Sequence, residues 1–410
     1  MVFSTCNRNL ECGNFRSILL LCNDFCQKIT WQGHRSLYAF CSSLSMGIFA
    51  FLNPVMLRLL AIWAVLSIVV PNVSAQWRAP KYSNEFLSIG TGAAGMALSG
   101  AQTAAVEDVT SAYWNPAGLT SLSKKNEIGL MHASYFAGIA NFDYAAYATR
   151  IDSQSTLAVS FIRLAVDDIP DTRYLIDNGQ LDWRRISSFS SSDNALFFSY
   201  AHKDLLFKGL SAGGSFKVIY RNAGKFANAW GFGLDAGLQY KVNTWAFGLM
   251  VRDVATTFNA WTYNTTELEQ VFSQTGNAIP VSSVEITLPT WTFGVSRQIP
   301  VWKEKIGVRP IADFAMTFDG ERNTLIHSSL VSIDPRFGLE LSGYNLLALR
   351  GGIAGFQQVK NFENGKDWRY QINFGVGLKW KAIAIDYAMT DLGNQAEALY
   401  SHIFSLKASF

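Results

Sequence analysis

Several stretches of this chain alternate strictly between apolar and polar side chains over about ten residues. In 370–380, large apolar residues occupy the even positions, whereas Gln, Asn, Gly and Lys occupy the odd ones. The same period of two recurs in 211–221, 232–241 and 306–319. This period indicates a β-strand with one apolar and one polar face. Strands of about nine to eleven residues can cross a bilayer at a tilt, whereas strands in globular proteins most often have about five or six.

Fourteen alternating segments can be counted, an even number as in bacterial outer-membrane barrels. They lie at 126–136, 142–151, 155–165, 194–203, 209–221, 231–241, 244–253, 288–298, 306–319, 335–344, 346–356, 369–380, 382–390 and 399–410. Aromatic residues at their ends suit two interfacial girdles, namely Tyr220, Tyr240, Trp245, Trp291, Tyr370 and Trp380. The sequence therefore predicts an all-β fold, a transmembrane antiparallel β-barrel of about 14 strands in the outer membrane, formed by residues 126–410.

The connections between these segments alternate in length. Short turns, which belong on the periplasmic side, are expected at 152–154, 204–208, 242–243, 299–305, 345 and 381. Longer loops, which belong outside, are expected at 166–193, 222–230, 254–287, 320–334, 357–368 and 391–398.

The segment Met56–Ala75 has the pattern of a secretory signal peptide. Arg58 precedes an apolar run, and small residues end the segment, so that the mature chain would begin at Gln76. A membrane anchor is the alternative, but the run has about twelve residues where a spanning helix needs about twenty. Residues 1–55 contain all five cysteines, in no metal-binding or disulfide pattern, and are expected to be a misassigned N-terminal extension.

Charge argues against nucleic acid as a partner. Residues 1–75 contain five of the 34 basic and two of the 31 acidic residues, which leaves 29 of each sign in residues 76–410. Phosphate binding needs a basic excess or stripe, and none remains.

The polar faces of the predicted strands carry charges of both signs. They should face the lumen, because a Lys or Arg turned toward lipid at the midplane costs about 2–4 kcal/mol. We expect a polar network in the lumen that includes Lys217, Arg221, Asp235, Arg252, Arg309, Asp313, Lys379 and Asp386. A structural network that holds the segment 76–125 is preferred to a solute-selective pore, because mixed charges pair readily.

Two motifs resemble enzyme signatures but lack the required context. Residues 90–95 match G-x-G-x-x-G, yet no βαβ unit follows, so close packing is the preferred explanation. Residues 209–213 match G-x-S-x-G around Ser211, but Ser211 lies within an alternating strand and has no candidate Asp or His partner. The histidines of the mature chain are scattered singly, so no metal site or cofactor is expected. We expect a protein that is not an enzyme, with an outer-membrane hydrolase built around Ser211 as a less favoured alternative.

The segment 76–125 is rich in Gly, Ala, Ser and Thr and contains the sequences KYSNEFLSIG at 81–90 and SAYWNPAGL at 111–119. These sequences resemble the N-terminal signature of the PorV/PorQ family, within the broader group of FadL-like outer-membrane proteins. Residues 90–95 depart from the proline-aspartate segment of PorV itself, which indicates a paralogue. The resemblance implies that residues 76–125 form a hatch inside the barrel, with Asn115, Pro116, Ala117 and Gly118 as its motif.

The resemblance also implies function and partners. It implies an outer-membrane component of the type IX secretion pathway that binds translocon or secreted cargo proteins. The alternative is a FadL-like channel for uptake of hydrophobic small molecules. Outer-membrane lipid would surround the barrel, and Phe410, at the end of the last alternating strand, resembles the signal that the barrel assembly machinery recognises.

Overall fold

The computed structural model describes residues 83–177, 179–275, 278, 282–302, 305–361, 365–391 and 401–410. The predicted extension 1–55, the predicted signal peptide 56–75 and the predicted mature start at Gln76 lie outside these ranges.

Fourteen antiparallel strands form one closed sheet, which confirms the predicted barrel. The strands are β1 Asn126–Tyr135, β2 Ala140–Arg150, β3 Ser155–Asp171, β4 Ser187–His202, β5 Leu210–Ala223, β6 Ala227–Val242, β7 Trp245–Arg252 with Thr257–Tyr263, β8 Ser282–Thr287 with Thr290–Arg297 and Ile299–Val301, β9 Ile306–Thr317, β10 Ser332–Gly343, β11 Leu347–Lys360, β12 Lys366–Trp380, β13 Ile383–Thr390 and β14 Ser401–Ser409. Each strand pairs with its neighbour in sequence, and β14 pairs with β1.

The contact between β14 and β1 closes the barrel. Glu127 lies opposite Ser409, and the pairing continues to Ser134 opposite His402. The backbone of Phe410 extends it, because its N–H and C=O exchange hydrogen bonds with Asn126 at 2.9 and 2.8 Å. The aromatic side chain of Phe410 is exposed.

Strands reach further on the loop side than the alternation predicts. The long loops expected at 222–230 and 357–368 are too long, because the strands end at Ala223 and Lys360 and begin again at Ala227 and Lys366. Likewise, strand segments extend into the expected loops 166–193 and 254–287. In residues 187–193, for example, most side chains are serine, so no apolar face marks the strand in the sequence.

The outward face of the barrel is apolar. Exposed large side chains alternate along neighbouring strands, for example Ile128 and Leu130, Leu157, Val159 and Phe161, and Phe374, Val376 and Leu378. A closed barrel satisfies every backbone polar group in its strands, so that it can meet lipid with such a face. The protein is a multi-pass β-barrel of the outer membrane.

Residues 83–122, which we call the hatch, precede β1 and pack against the inward faces of the strands. The hatch contains the short helices α1 Ala93–Ala97 and α2 Ser111–Trp114 and the 3₁₀ turns Glu85–Leu87 and Pro116–Ser121.

The loop side of the barrel carries the remaining elements. They are helix α3 Thr265–Thr275, the 3₁₀ turn Trp183–Arg185, a small hairpin of Ile176–Asp177 with Gln180–Leu181, and the short strand Ile326–His327. No helix in the described ranges is long and apolar enough to cross a membrane.

Candidate functional site: the hatch and the cavities on its two sides

Trp114 explains the glycine motif at 90–95. The indole Nε1 donates a hydrogen bond to the Thr91 carbonyl at 2.8 Å. A Cβ atom at Gly90 would lie 2.9 Å from this ring, and one at Gly95 would lie 2.8 Å from it. Gly90 also has a φ of 106°, a backbone conformation that favours glycine. The glycines therefore make room for a buried tryptophan, and the motif serves packing within the hatch.

Asn115 joins two parts of the hatch to the barrel wall. Its Nδ2 donates to the Thr103 carbonyl at 2.8 Å and to the Leu238 carbonyl of β6 at 3.0 Å. Its Oδ1 accepts from the Ala117 N–H at 3.2 Å and caps the 3₁₀ turn that begins at Pro116. Asn115 is fully buried, so its side chain supplies these hydrogen bonds where water has little access.

The wall fits the remaining hatch motif residues closely. A Cβ atom at Gly237 would lie 2.0 Å from Asn115 Oδ1, and one at Gly213 would lie 2.6 Å from the Pro116 and Ala117 backbone. Within the hatch, a Cβ at Gly118 would lie 2.6 Å from the Val106 carbonyl oxygen. The four predicted motif residues therefore lie where the hatch meets β5 and β6.

Asp313 and Arg252 are two of the charged wall side chains that bind the hatch backbone. Asp313 of β9 is fully buried, and its Oδ2 accepts from the N–H groups of Gln102 and Thr103 at 2.9 and 2.8 Å. Arg252 of β7 donates to the carbonyls of Leu87 and Tyr113 at 3.1 and 3.3 Å. Its guanidinium carbon also lies 4.2 Å from the centre of the Tyr113 ring. Hydrogen bonds to charged groups are the stronger kind, so these residues are main anchors.

Acidic residues of the hatch pair with basic residues of the wall. Glu107 contacts Lys241 Nζ at 2.7 Å and the Arg309 guanidinium at 3.2 Å. Asp108 contacts Lys407 Nζ of β14 at 2.6 Å. Enclosure raises the pKa of each carboxyl, but the facing cations lower it by more, so both pKa values lie below the usual range.

The predicted lumen residues form several clusters rather than one network. Lys217 is buried between Asp235, at 2.8 Å, and Asp253, at 2.6 Å. Arg221 pairs with Asp193 and Glu285 at 2.9 and 3.1 Å.

On the turn side of the lumen, Arg350 contacts Asp386 at 2.7 Å and Glu340 at 2.6 Å. Lys379 is exposed and lines the cavity on that side. Thus Arg252, Arg309 and Asp313 touch the hatch directly, whereas Lys217, Arg221 and Asp386 pair with other wall residues.

Several partners in these clusters were absent from the predicted set, namely Asp253, Glu285, Glu340, Arg350 and Lys407. A sequence signal existed for Lys407, because the alternation in 399–410 places it on the polar face of the last strand. Asp253 carried no such signal, because it lies where β7 is interrupted and has a φ of 55°.

A break in the wall lies between β7 and β8. Arg252 pairs with Thr290 and Thr257 pairs with Thr287, but residues 253–256 and 288–289 between them do not pair with each other. Val254 and Leu288 at this break are exposed on the protein surface. Asp253, in the unpaired segment, forms an ion pair with Lys217 of β5.

The hatch separates two cavities. The outer cavity, of about 470 Å³, lies on the loop side and is lined partly by Tyr113, Trp114, Phe197, Met250, Leu288 and Phe318. Arg322 and Arg336, with Asp319 and Asp334, add charges to its lining. The inner cavity, of about 510 Å³, lies on the turn side and is lined by charged residues that include Glu107, Arg309, Lys379 and Lys407.

Ser211 has a packing contact rather than the surroundings of a nucleophile. It lies within β5, and Thr120 of the hatch donates a hydrogen bond to its Oγ at 3.0 Å. The strand-to-helix turn that a nucleophile elbow requires is not found there. Within the described ranges, no three His, Cys, Asp or Glu side chains are grouped so as to hold a metal ion.

Comparison with known proteins gives similarity to solved structures only. No family model matches the chain, and no curated protein matches it in sequence. The Ralstonia pickettii toluene transporter TbuX is 14% identical, with a TM-score of 0.47, over 78% of this chain and 98% of TbuX.

The P. putida toluene transporter TodX is 14% identical, with a TM-score of 0.48, over 78% of this chain and 99% of TodX. A Pseudomonas aeruginosa FadL homologue is 11% identical, with a TM-score of 0.45, over 78% of this chain and 97% of the homologue.

Proposed function

We propose that this protein is an outer-membrane channel that admits small hydrophobic molecules from the loop side. The observation that carries the proposal is the outer cavity above the hatch together with the break in the adjacent wall. A cavity of about 470 Å³ falls in the range that holds small organic ligands.

The break gives the cavity an edge at the lipid-facing surface. Thr287 and Thr290 of β8 line the cavity together with Leu288 and Pro289 between them, and Leu288 is also exposed. Pro289 has no N–H to donate to a neighbouring strand, which favours an interrupted ladder here. A hydrophobic molecule in the cavity is therefore separated from the lipid by a thin, incompletely paired part of the wall.

Filling the outer cavity tests the channel proposal. Ala315 of β9 is buried and lines this cavity, so Ala315→Trp should occupy its volume, whereas Ala315→Ser at the same position should leave it open. In a Gram-negative host without its own channel of this kind, we expect uptake of a labelled monoaromatic compound with the protein and with Ala315→Ser, and background uptake with Ala315→Trp. Equal uptake by all three folded proteins would contradict the proposal.

A second candidate is the role implied by the hatch signature, a type IX secretion component of the PorV/PorQ group that binds translocon or cargo proteins. The structural observation that favours it is an exposed apolar group on the loop side. Ile176, Leu181 and Trp183 are each more than 60% exposed and lie on the small hairpin and the turn that follows it. Exposed apolar groups of this kind often mark protein interaction sites.

Secretion and uptake assays separate the two candidates. If the second is correct, Trp183→Ala should reduce surface attachment of secreted proteins in the native host and reduce recovery of a translocon barrel in a pull-down, while uptake is unchanged. Trp291→Ala, which removes an exposed indole from the lipid-facing side of β8, is the matched control. Normal secretion in a deletion strain would exclude this role.

A further inference from the structure

The turn-side end of the barrel has a row of cations stacked on lipid-facing aromatic rings. Arg297 of β8 lies over the Trp245 ring with 4.9 Å between the guanidinium carbon and the ring centre. Lys381 Nζ lies 5.3 Å from the centre of the Trp380 ring, and Lys305 Nζ lies 5.9 Å from that of Tyr344. Trp245, Tyr344 and Trp380 are all exposed. The three pairs follow one another around the wall from β7 to β13, and we call them the cation–aromatic arc.

The stacking fixes the direction in which these charges point. An exposed Trp or Tyr at a strand end lies at the level of the lipid headgroups. A cation held over such a ring is therefore kept beside the barrel at the same level, rather than below it in the periplasm. Trp302, in the turn between Arg297 and Lys305, adds another exposed ring to the arc.

Acidic side chains do not neutralise the arc within the described residues. None of Arg297, Lys305 and Lys381 forms an ion pair there. Among the described residues, the acids in the turns at this end are Asp152 and Asp204, which follow β2 and β4 on another part of the wall. Their carboxylates accept backbone N–H groups within those turns, at 2.6 to 2.7 Å.

We propose that the cation–aromatic arc binds the phosphate groups of anionic phospholipids in the periplasmic leaflet. Charge complementarity supports this partner, because three cations that form no ion pair with any described residue are held at headgroup height. The aromatic rings beneath them supply the contact with the upper part of the acyl chains. An acidic periplasmic protein is a weaker fit, because it would approach from below the rim rather than from the side where the rings lie.

Lipid binding to the purified full-length protein tests the proposal. Native mass spectrometry in detergent would compare phosphatidylglycerol with phosphatidylcholine of the same acyl chains. We expect the protein to prefer phosphatidylglycerol, and Arg297→Gln/Lys305→Gln/Lys381→Gln to weaken that binding by about tenfold or more while phosphatidylcholine binding stays the same. The matched control Lys124→Gln/Arg150→Gln/Lys208→Gln removes the same charge from the other part of the same rim and should change the preference much less.

Three outcomes would overturn the inference. One is equal phosphatidylglycerol binding by the arc variant and the unmodified protein. Another is an equal loss in both triple variants, which would indicate general charge attraction. A third is displacement of the lipid by excess inorganic phosphate. As a test in cells, a photoreactive residue in place of Trp302 should crosslink to phospholipid. Crosslinking to a protein instead would show that the partner of the arc is a protein and not a lipid.

Discussion

Replacing Asn115 with alanine should loosen the hatch without unfolding the barrel. The substitution removes two hydrogen bonds that Asn115 donates, to Thr103 and Leu238, and one that it accepts from Ala117. The Thr103 carbonyl keeps another donor, because Gln239 Nε2 lies 3.2 Å from it. The change therefore leaves two groups without their Asn115 partner, the Leu238 carbonyl and the Ala117 N–H.

The size of the effect follows from the burial of these groups. Asn115 is fully buried, so water has little access to the groups that lose the amide as a hydrogen-bond partner. The Leu238 carbonyl lies in a strand that is paired on both sides and keeps its ladder hydrogen bond, so the main cost comes from the Ala117 N–H. A buried group left without its partner costs about 1–3 kcal/mol. The equilibrium for local opening of the hatch should rise by about 5-fold or more, since each 1.4 kcal/mol is a factor of ten. Asn115→Asp should be at least as damaging, because a carboxylate cannot donate to Thr103 and Leu238.

Hydrogen exchange measured by mass spectrometry on peptides from 98–122 reports this opening directly. Thr120→Ala is the control within the hatch, because it removes the hydroxyl that bonds to Ser211 at the partly buried edge. The control should change exchange by much less than Asn115→Ala. Heat-modified migration in electrophoresis checks that the barrel is folded. Unchanged hatch exchange in a folded Asn115→Ala protein would refute the claim that this side chain holds the hatch to the wall.

Three further changes test other contacts. Acidification should release the hatch, because the folded-state pKa values of Glu107 and Asp108 are lowered. Their ion pairs stabilise the hatch above about pH 4, and this contribution is lost as the pH falls through the folded-state pKa values. Hydrogen exchange of residues 104–110, measured as a function of pH, would detect the loss. Lys217→Met should lower barrel stability by about 3–5 kcal/mol, because it leaves two carboxylates facing each other in the wall, and a thermal unfolding midpoint equal to that of the unmodified protein would contradict this. Gly352→Leu should displace the hatch, since a Cβ at this position would lie 2.4 Å from the Leu98 carbonyl carbon. Single-channel recording should show a higher conductance for this variant than for the control Gly351→Leu, where the atom nearest to a Cβ is 3.8 Å away.

Hydrophobic alternation predicts the lipid-facing part of each strand because lipid enforces it there. In β12, the residues from Tyr370 to Trp380 alternate without exception, and the structure has them in a strand. Residues 187–193 also lie in a strand, but they are mostly serine and have no apolar face to detect. Beyond the lipid, the strand is determined by pairing with its neighbours, and a single sequence does not reveal that pairing.

The pattern also predicts which charges face inward but not how they pair. Lys217 and Asp235 lie on adjacent strands, and their contact depends on the register between β5 and β6. Asp108 and Lys407 are 299 positions apart, so only closure of the barrel brings them together. The sequence predicts close packing at the hatch glycines, but only the fold identifies the ring that they accommodate, Trp114.

The hatch links the two parts of the interrupted wall. At its beginning, Ser83 donates to Glu285 at 3.0 Å and Asn84 donates to Thr287 at 2.9 Å, both in the outer part of β8. Asn259, in the outer part of β7, donates to Ser83 and Asn84 at 2.8 Å.

The rest of the hatch is bound on the turn side of the break, through Arg252 and Asp313. A movement that widens the break between residues 253–256 and 288–289 must therefore stretch the hatch or break its first contacts. Conversely, a ligand that displaces residues 83–88 from the outer cavity would break the hydrogen bonds that join the hatch to the outer parts of β7 and β8, which stay paired with each other. Opening of the wall and opening of the hatch are therefore coupled by the same few hydrogen bonds.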